Sequence, residues 1–82
     1  MTVEDIKEIN PEALLCVGFD DAIIGIAERI NLGSIVVYDV SKILSILIDG
    51  GMTYDEAEEY YNFNILGAWM GDNTPVYVRT KN

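Results

Sequence analysis

Between Asp49 and Ala57 the chain reads Asp-Gly-Gly-Met-Thr-Tyr-Asp-Glu-Ala, a helix stop followed at once by a helix start. Paired glycines end a helix because a residue without a Cβ enters the left-handed conformation without steric cost. Thr53 with Glu56 three positions on is a capping box, each side chain satisfying a backbone amide that the first helical turn leaves open. Met52 and Ala57 flank the box as a hydrophobic staple. Two helices must therefore meet at a tight turn near the middle of the chain. The first runs over Lys42–Asp49, with Asp39 or Ser41 as its N-cap, and the second from the capping box to about Met70.

What surrounds this pair reads mostly as sheet. Ile35-Val36-Val37-Tyr38, inside Ser34–Asp39, is the clearest strand signal. Ala22–Ile30 fits two patterns. As a strand it places Ala22, Ile24, Ile26 and Ile30 on one face. As a helix capped by Asp20 it aligns Ala22, Ile23, Ile26, Ala27 and Ile30. The strand is preferred, because isoleucines suit a pleated surface and a glycine in mid-helix costs about 1 kcal/mol relative to alanine. Asn31-Leu32-Gly33 then forms a hairpin loop with Gly33 in the left-handed position. Ala13–Val17 reads as a short strand, residues 18–21 as a turn, and Val76–Val78 as a last strand after the break at Gly71–Pro75. Thr2–Asp5 can start a short helix, but Pro11 drives Asn10 out of helical space, so a short or frayed element is expected over residues 1–12. The expectation is one α+β domain over residues 1–82, ordered β-β-β-α-α-β, a small antiparallel sheet with two helices on one face.

A chain of 82 residues hides only about 60–65% of the surface that it exposes unfolded. Oligomerisation is a common remedy at this size, and a homo-oligomer, most simply a dimer, is expected. Fourteen acidic residues against five basic ones give a net charge of −9, and no lysine or arginine falls between Ile43 and Val78. Nucleic acid demands a basic stripe, so direct binding to it is not expected, whereas a partner with a basic surface is favoured. Cys16 is the single cysteine and has no internal partner for a disulfide, which fits a reducing compartment. The Met1–Asp5 start has no apolar signal stretch, and Ile43–Ile48 is far shorter than the ~20 residues that a membrane span needs. A cytoplasmic protein without membrane contact is expected.

The inventory of reactive groups is thin. With no histidine in the chain, Cys16 has no evident activating base and reads as a small core residue. One cysteine without histidine excludes the usual zinc sites. Asp20 and Asp21 could offer oxygen ligands to magnesium or calcium, but the calcium-loop pattern is missing and turn formation explains the pair more simply. Glu28 and Asp39 could approach one another across the hairpin as a carboxylate pair, with little cleft to serve. Gly50-Gly51 lacks the lysine and spacing of a phosphate loop. The chain is expected to need no metal or cofactor and not to be an enzyme, a carboxylate-dependent hydrolase being the residual alternative.

Recognition surfaces are easier to find. Asp55, Glu56, Glu58 and Glu59 gather in the first turns of the second helix, where the helix dipole favours negative charge. They form either a solvated face or an acidic patch for a basic partner, or one that imitates DNA. Tyr60 and Trp69 add aromatic groups of the type favoured at interface hot spots. Ala57, Tyr60, Tyr61, Asn64, Gly67, Ala68 and Gly71 share one face at three- and four-residue spacing. That places the Asn64 amide in an apolar stripe, where it needs a hydrogen-bond partner from the Asp72–Thr74 turn, a ligand or a second subunit.

Four stretches, Gly18–Gly25, Val36–Asp39, Gly51–Ala57 and Asn64–Gly71 with Thr74-Pro75, spread over about three quarters of the chain. In these the sequence resembles a widespread family of small phage-encoded proteins of unassigned function. The resemblance implies a phage or prophage origin and an accessory role in the bacterial cytoplasm, and carries no functional residue with it. Three functions are expected in order. The first is a non-enzymatic protein that binds and blocks a host or defence component through Asp55, Glu56, Glu59, Tyr60 and Trp69. The second is a homo-oligomeric sponge for a nucleotide signal, held by Arg29, Tyr38, Asn64, Asp72, Asn73 and Thr74. The third is a structural or assembly role in the phage.

Overall fold

The computed structural model describes residues 1–80 and is an α+β fold. A short helix α1 (Val3–Ile9) leads through an irregular segment and a 3-10 turn (Asp20–Ala22) into strands β1 (Ile23–Arg29) and β2 (Leu32–Asp39). Helices α2 (Val40–Asp49) and α3 (Tyr54–Tyr60) follow, α3 continues as a wider helical segment over Tyr61–Leu66, and β3 (Val76–Val78) closes the chain.

The glycine stop and capping box form as the sequence demands. Gly50 caps α2, and Gly51 adopts a φ of +113°. The Glu56 amide donates to Thr53 Oγ1 at 3.2 Å, while the Thr53 amide donates to Glu56 Oε1 at 2.9 Å. Asp39 caps α2 by accepting from the Ser41 amide at 2.9 Å. Ala22–Ile30 settles as strand, and β1 pairs antiparallel with β2 from Ile23↔Tyr38 to Arg29↔Leu32. The left-handed position of the hairpin falls two residues before Gly33. Asn31, at φ 63°, takes the left-handed position, a role that asparagine tolerates well. Gly33 belongs to β2 instead, where a Cβ would stand 2.7 Å from Asn10 Nδ2, so the glycine makes room for that side chain.

The sheet is mixed rather than wholly antiparallel. Its order is β1-β2-β3, and β3 runs parallel to β2 through Val37↔Val76, Tyr38↔Tyr77 and Asp39↔Val78. Parallel neighbours need a long crossover, and α2, α3 and the loop after them supply it. The expected strand over Ala13–Val17 is absent. Its backbone bonds are scattered rather than laddered: the Leu14 amide donates to Asn73 O at 3.1 Å, the Cys16 amide to Tyr38 Oη at 2.8 Å, and Lys7 Nζ to Ala13 O at 2.9 Å. No ladder partner is left for it to join.

One hydrophobic cluster draws on every layer: Ile6 from α1, Ala13 and Ala22, Val36 and Tyr38 from β2, Ile43 and Leu44 from α2, and Ala57, Tyr61 and Ile65 from α3 and its continuation. Of the two expectations for residues 1–12, the short element is the one that forms. Thr2 and Asp5 form a second capping box, and Ile6 is only 1% exposed. Burying one such side chain contributes about 1.5–3 kcal/mol, enough to hold a two-turn helix on the core. Asn10 fastens the end of α1, donating to Ser34 O at 2.8 Å and to Asn73 Oδ1 at 3.3 Å.

Candidate functional site

Beyond Tyr60 the helix changes pitch. The Gly67 amide donates five residues back to Asn62 O at 3.1 Å, so each turn holds more residues than the 3.6 of an α-helix. A four-residue step then keeps a side chain on one face. Ala57, Tyr61 and Ile65 all point into the core, whereas an α-helical pitch would have carried Asn64 and Ala68 inward. Asn64 is exposed and its amide is not buried in an apolar stripe, as the three- and four-residue spacing had indicated. The helix also ends at Leu66 rather than near Met70. Ala68, Trp69 and Met70 lie in the loop that follows, where the Met70 amide donates to Thr74 Oγ1 at 2.8 Å.

This wide segment is flanked by two grooves that share Tyr60 and Asn64 as a common wall. The first, about 230 Å³, runs between the irregular Leu14–Phe19 segment, Ala68 and Met70, and the Thr74–Tyr77 approach to β3. Three of its polar side chains are already engaged. Cys16 Sγ lies 3.1 Å from Tyr77 Oη, and Thr74 Oγ1 accepts from Met70. Burial pushes the Tyr77 phenol well above the usual tyrosine range, and the contact with Cys16 adds to the rise. The second groove, about 370 Å³ and wider at the mouth, is bounded by Met52, Phe63, Glu56 and Glu59.

Around these grooves the surface is unusually apolar. Phe63 is 76% exposed, Met70 74% and Trp69 73%, with Tyr60 and Leu66 partly so. Carboxylates stand beside them. Asp55 and Glu59 are exposed on α3. Glu56 is held below the ordinary glutamate range by the Thr53 amide and hydroxyl. Glu58 is lowered by its two-pronged contact with Arg79, at 3.1 and 3.0 Å, and by the Tyr54 hydroxyl at 2.9 Å. Arg79 also lies over the Tyr61 ring, 5.7 Å from its centroid, so this cation ties β3 to α3 rather than serving a ligand.

Comparison with protein-family models, curated proteins and solved structures finds no match for this chain. The site therefore stands on its own geometry.

The residues expected to face a protein partner divide in two. Glu56, Glu59 and Tyr60 line the second groove; Asp55 is exposed on the same helix, and Trp69 stands out from the loop beyond it. The residues expected to hold a small ligand do not converge. Asn64 and Thr74 line the first groove. Asp72 is exposed, and Asn73 is bonded to Asn10 and Leu14. Arg29 donates to Gly33 O at 2.8 Å in the β1–β2 hairpin and lines neither groove. Tyr38 is 0% exposed, its hydroxyl taken by the Cys16 amide. Glu28 and Asp39 lie toward opposite ends of the hairpin register, with Asp39 buried as the α2 cap. Among the described residues no set of three carboxylate or thiol groups gathers to hold a metal. No described helix is long and apolar enough to cross a membrane.

Phe63, Leu66 and Met70 were not singled out from the sequence. The series Ala57, Tyr61, Ile65 fits an α-helical stripe as well as a wider pitch, so no sequence signal set these residues apart.

Proposed function

We propose that this chain is a non-enzymatic accessory protein of phage type that binds and blocks a basic host or defence protein through the surface around Tyr60. The observation that carries this reading is the exposure of Phe63, Leu66, Trp69 and Met70 along one stretch of chain, with Phe63 sharing a groove with Glu56 and Glu59. Single exposed apolar residues are ordinary, but four large ones within a short stretch next to carboxylates favour a contact site. The net charge of −9 steers such a surface toward positive partners. A nucleotide sponge is less well supported. The first groove, at about 230 Å³, falls below the range of about 300–1,000 Å³ usual for ligand pockets, no lysine or arginine lines either groove, and Arg29, Tyr38 and Asn73 are engaged elsewhere. The test is complex formation with basic host proteins at moderate salt. Wild type is expected to form a complex that the double variant Glu56→Lys, Glu59→Lys does not. Absence of any complex, or indifference to charge reversal, contradicts the reading.

A further inference from the structure

We infer that the first groove is a socket for one large apolar side chain of the partner, presented on a segment whose neighbouring lysines or arginines meet Glu56 and Glu59. The inference rests on the protein-binding reading above and specifies the chemistry of its partner. Three observations lead to it. The groove holds about 230 Å³, below the range of small-molecule sites and suited to a single anchor. Its thiol, its Tyr77 phenol and its threonine already bond one another or the backbone, so the floor offers shape and apolar contact while polar contact is left to Tyr60 and Asn64 on the wall. The second groove, across the Tyr60–Asn64 wall, carries the carboxylates. An apolar side chain on one side of the wall and a cation on the other therefore answer the two halves of the surface. Asn64, exposed at the wall itself, is placed to bond the backbone of the segment that straddles it. A second copy docked through the same face is a poorer occupant, because the stretch from Ile43 to Val78 that builds most of both grooves has no basic residue.

The experiment selects binders to the intact protein from a random peptide library. The expected binders carry one aromatic or long aliphatic residue flanked by lysine or arginine. They slow alkylation of Cys16 by iodoacetamide, and they lose about tenfold or more in affinity against Ala68→Trp, which fills the groove from its own wall. The Ala68→Trp protein is checked for an unchanged circular dichroism spectrum, and Glu56→Lys, Glu59→Lys serves as the charge control. Purely basic binders that bind Ala68→Trp as well as wild type, and lose to the charge control, overturn the socket while leaving the broader function standing. Apolar binders indifferent to the charge control overturn both.

Discussion

Tyr38 is the residue on which the irregular N-terminal segment hangs. Its ring is fully buried, stacks against Tyr77 at 5.8 Å and accepts the Cys16 amide at 2.8 Å. Replacing it with phenylalanine keeps the packing and strands that amide, at an expected cost of about 1–3 kcal/mol, read from urea unfolding. Burial also pushes the Tyr38 phenol up to about 12, whereas an unfolded tyrosine titrates near 10. The folded state thus binds this proton more tightly than the unfolded one. Its contribution is complete below pH ~10 and is lost as pH rises through about 12. Absorbance titration at alkaline pH should show this phenolate forming together with unfolding. Ionisation near pH 10 with the fold intact would contradict the burial argument. In the sequence Tyr38 is legible as a strand residue, but its polar tip and its apolar ring point to opposite uses, and periodicity does not choose between a core role and a ligand role.

At the scale of elements, local chemistry decided most of what forms. The capping box, the glycine stop and the β1 and β2 signals were all legible, because each is set by residues within a few positions of one another. Thr53→Ala is expected to cost about 1 kcal/mol, and thermal melts should show it. Glu56 sits below its ordinary range, so its share of the box is present above the usual glutamate pKa and fades as pH falls through the lowered folded value. The α3 N-terminus should fray in acid, as amide exchange can report. Two elements were not legible. Ala13–Val17 has the composition of a strand, but its partners are a loop carbonyl and a tyrosine hydroxyl from distant parts of the chain. The wide segment after Tyr60 has no local motif to announce it. Its register makes a sharp prediction. Ile65→Ala should cost about 2–4 kcal/mol, whereas Asn64→Ala should stay within about 0.5 kcal/mol. Equal costs would restore an α-helical pitch.

For the whole molecule, the α+β class follows from the order of its strong signals, but the direction of β3 does not. Three residues of strand carry no mark of parallel or antiparallel pairing. The long return through α2 and α3 fixes it, and the Tyr38–Tyr77–Tyr61 ring contacts at 5.8 Å bind the return to the core. The acidic half of the candidate site was legible as helix-dipole chemistry. The apolar half was not, because Phe63 and Met70 look like core residues until the pitch changes and the helix ends early. The function proposed at this scale is contact without turnover, with the exposed apolar residues supplying affinity and the acidic ones supplying steering. The most direct measurement is quantitative capture from a bacterial lysate by three proteins side by side: wild type, Phe63→Ser with Trp69→Ser, and Lys42→Ser as a surface control. The account predicts a basic protein retained by wild type and by Lys42→Ser and lost with the aromatic pair. The same protein recovered equally by all three would contradict it.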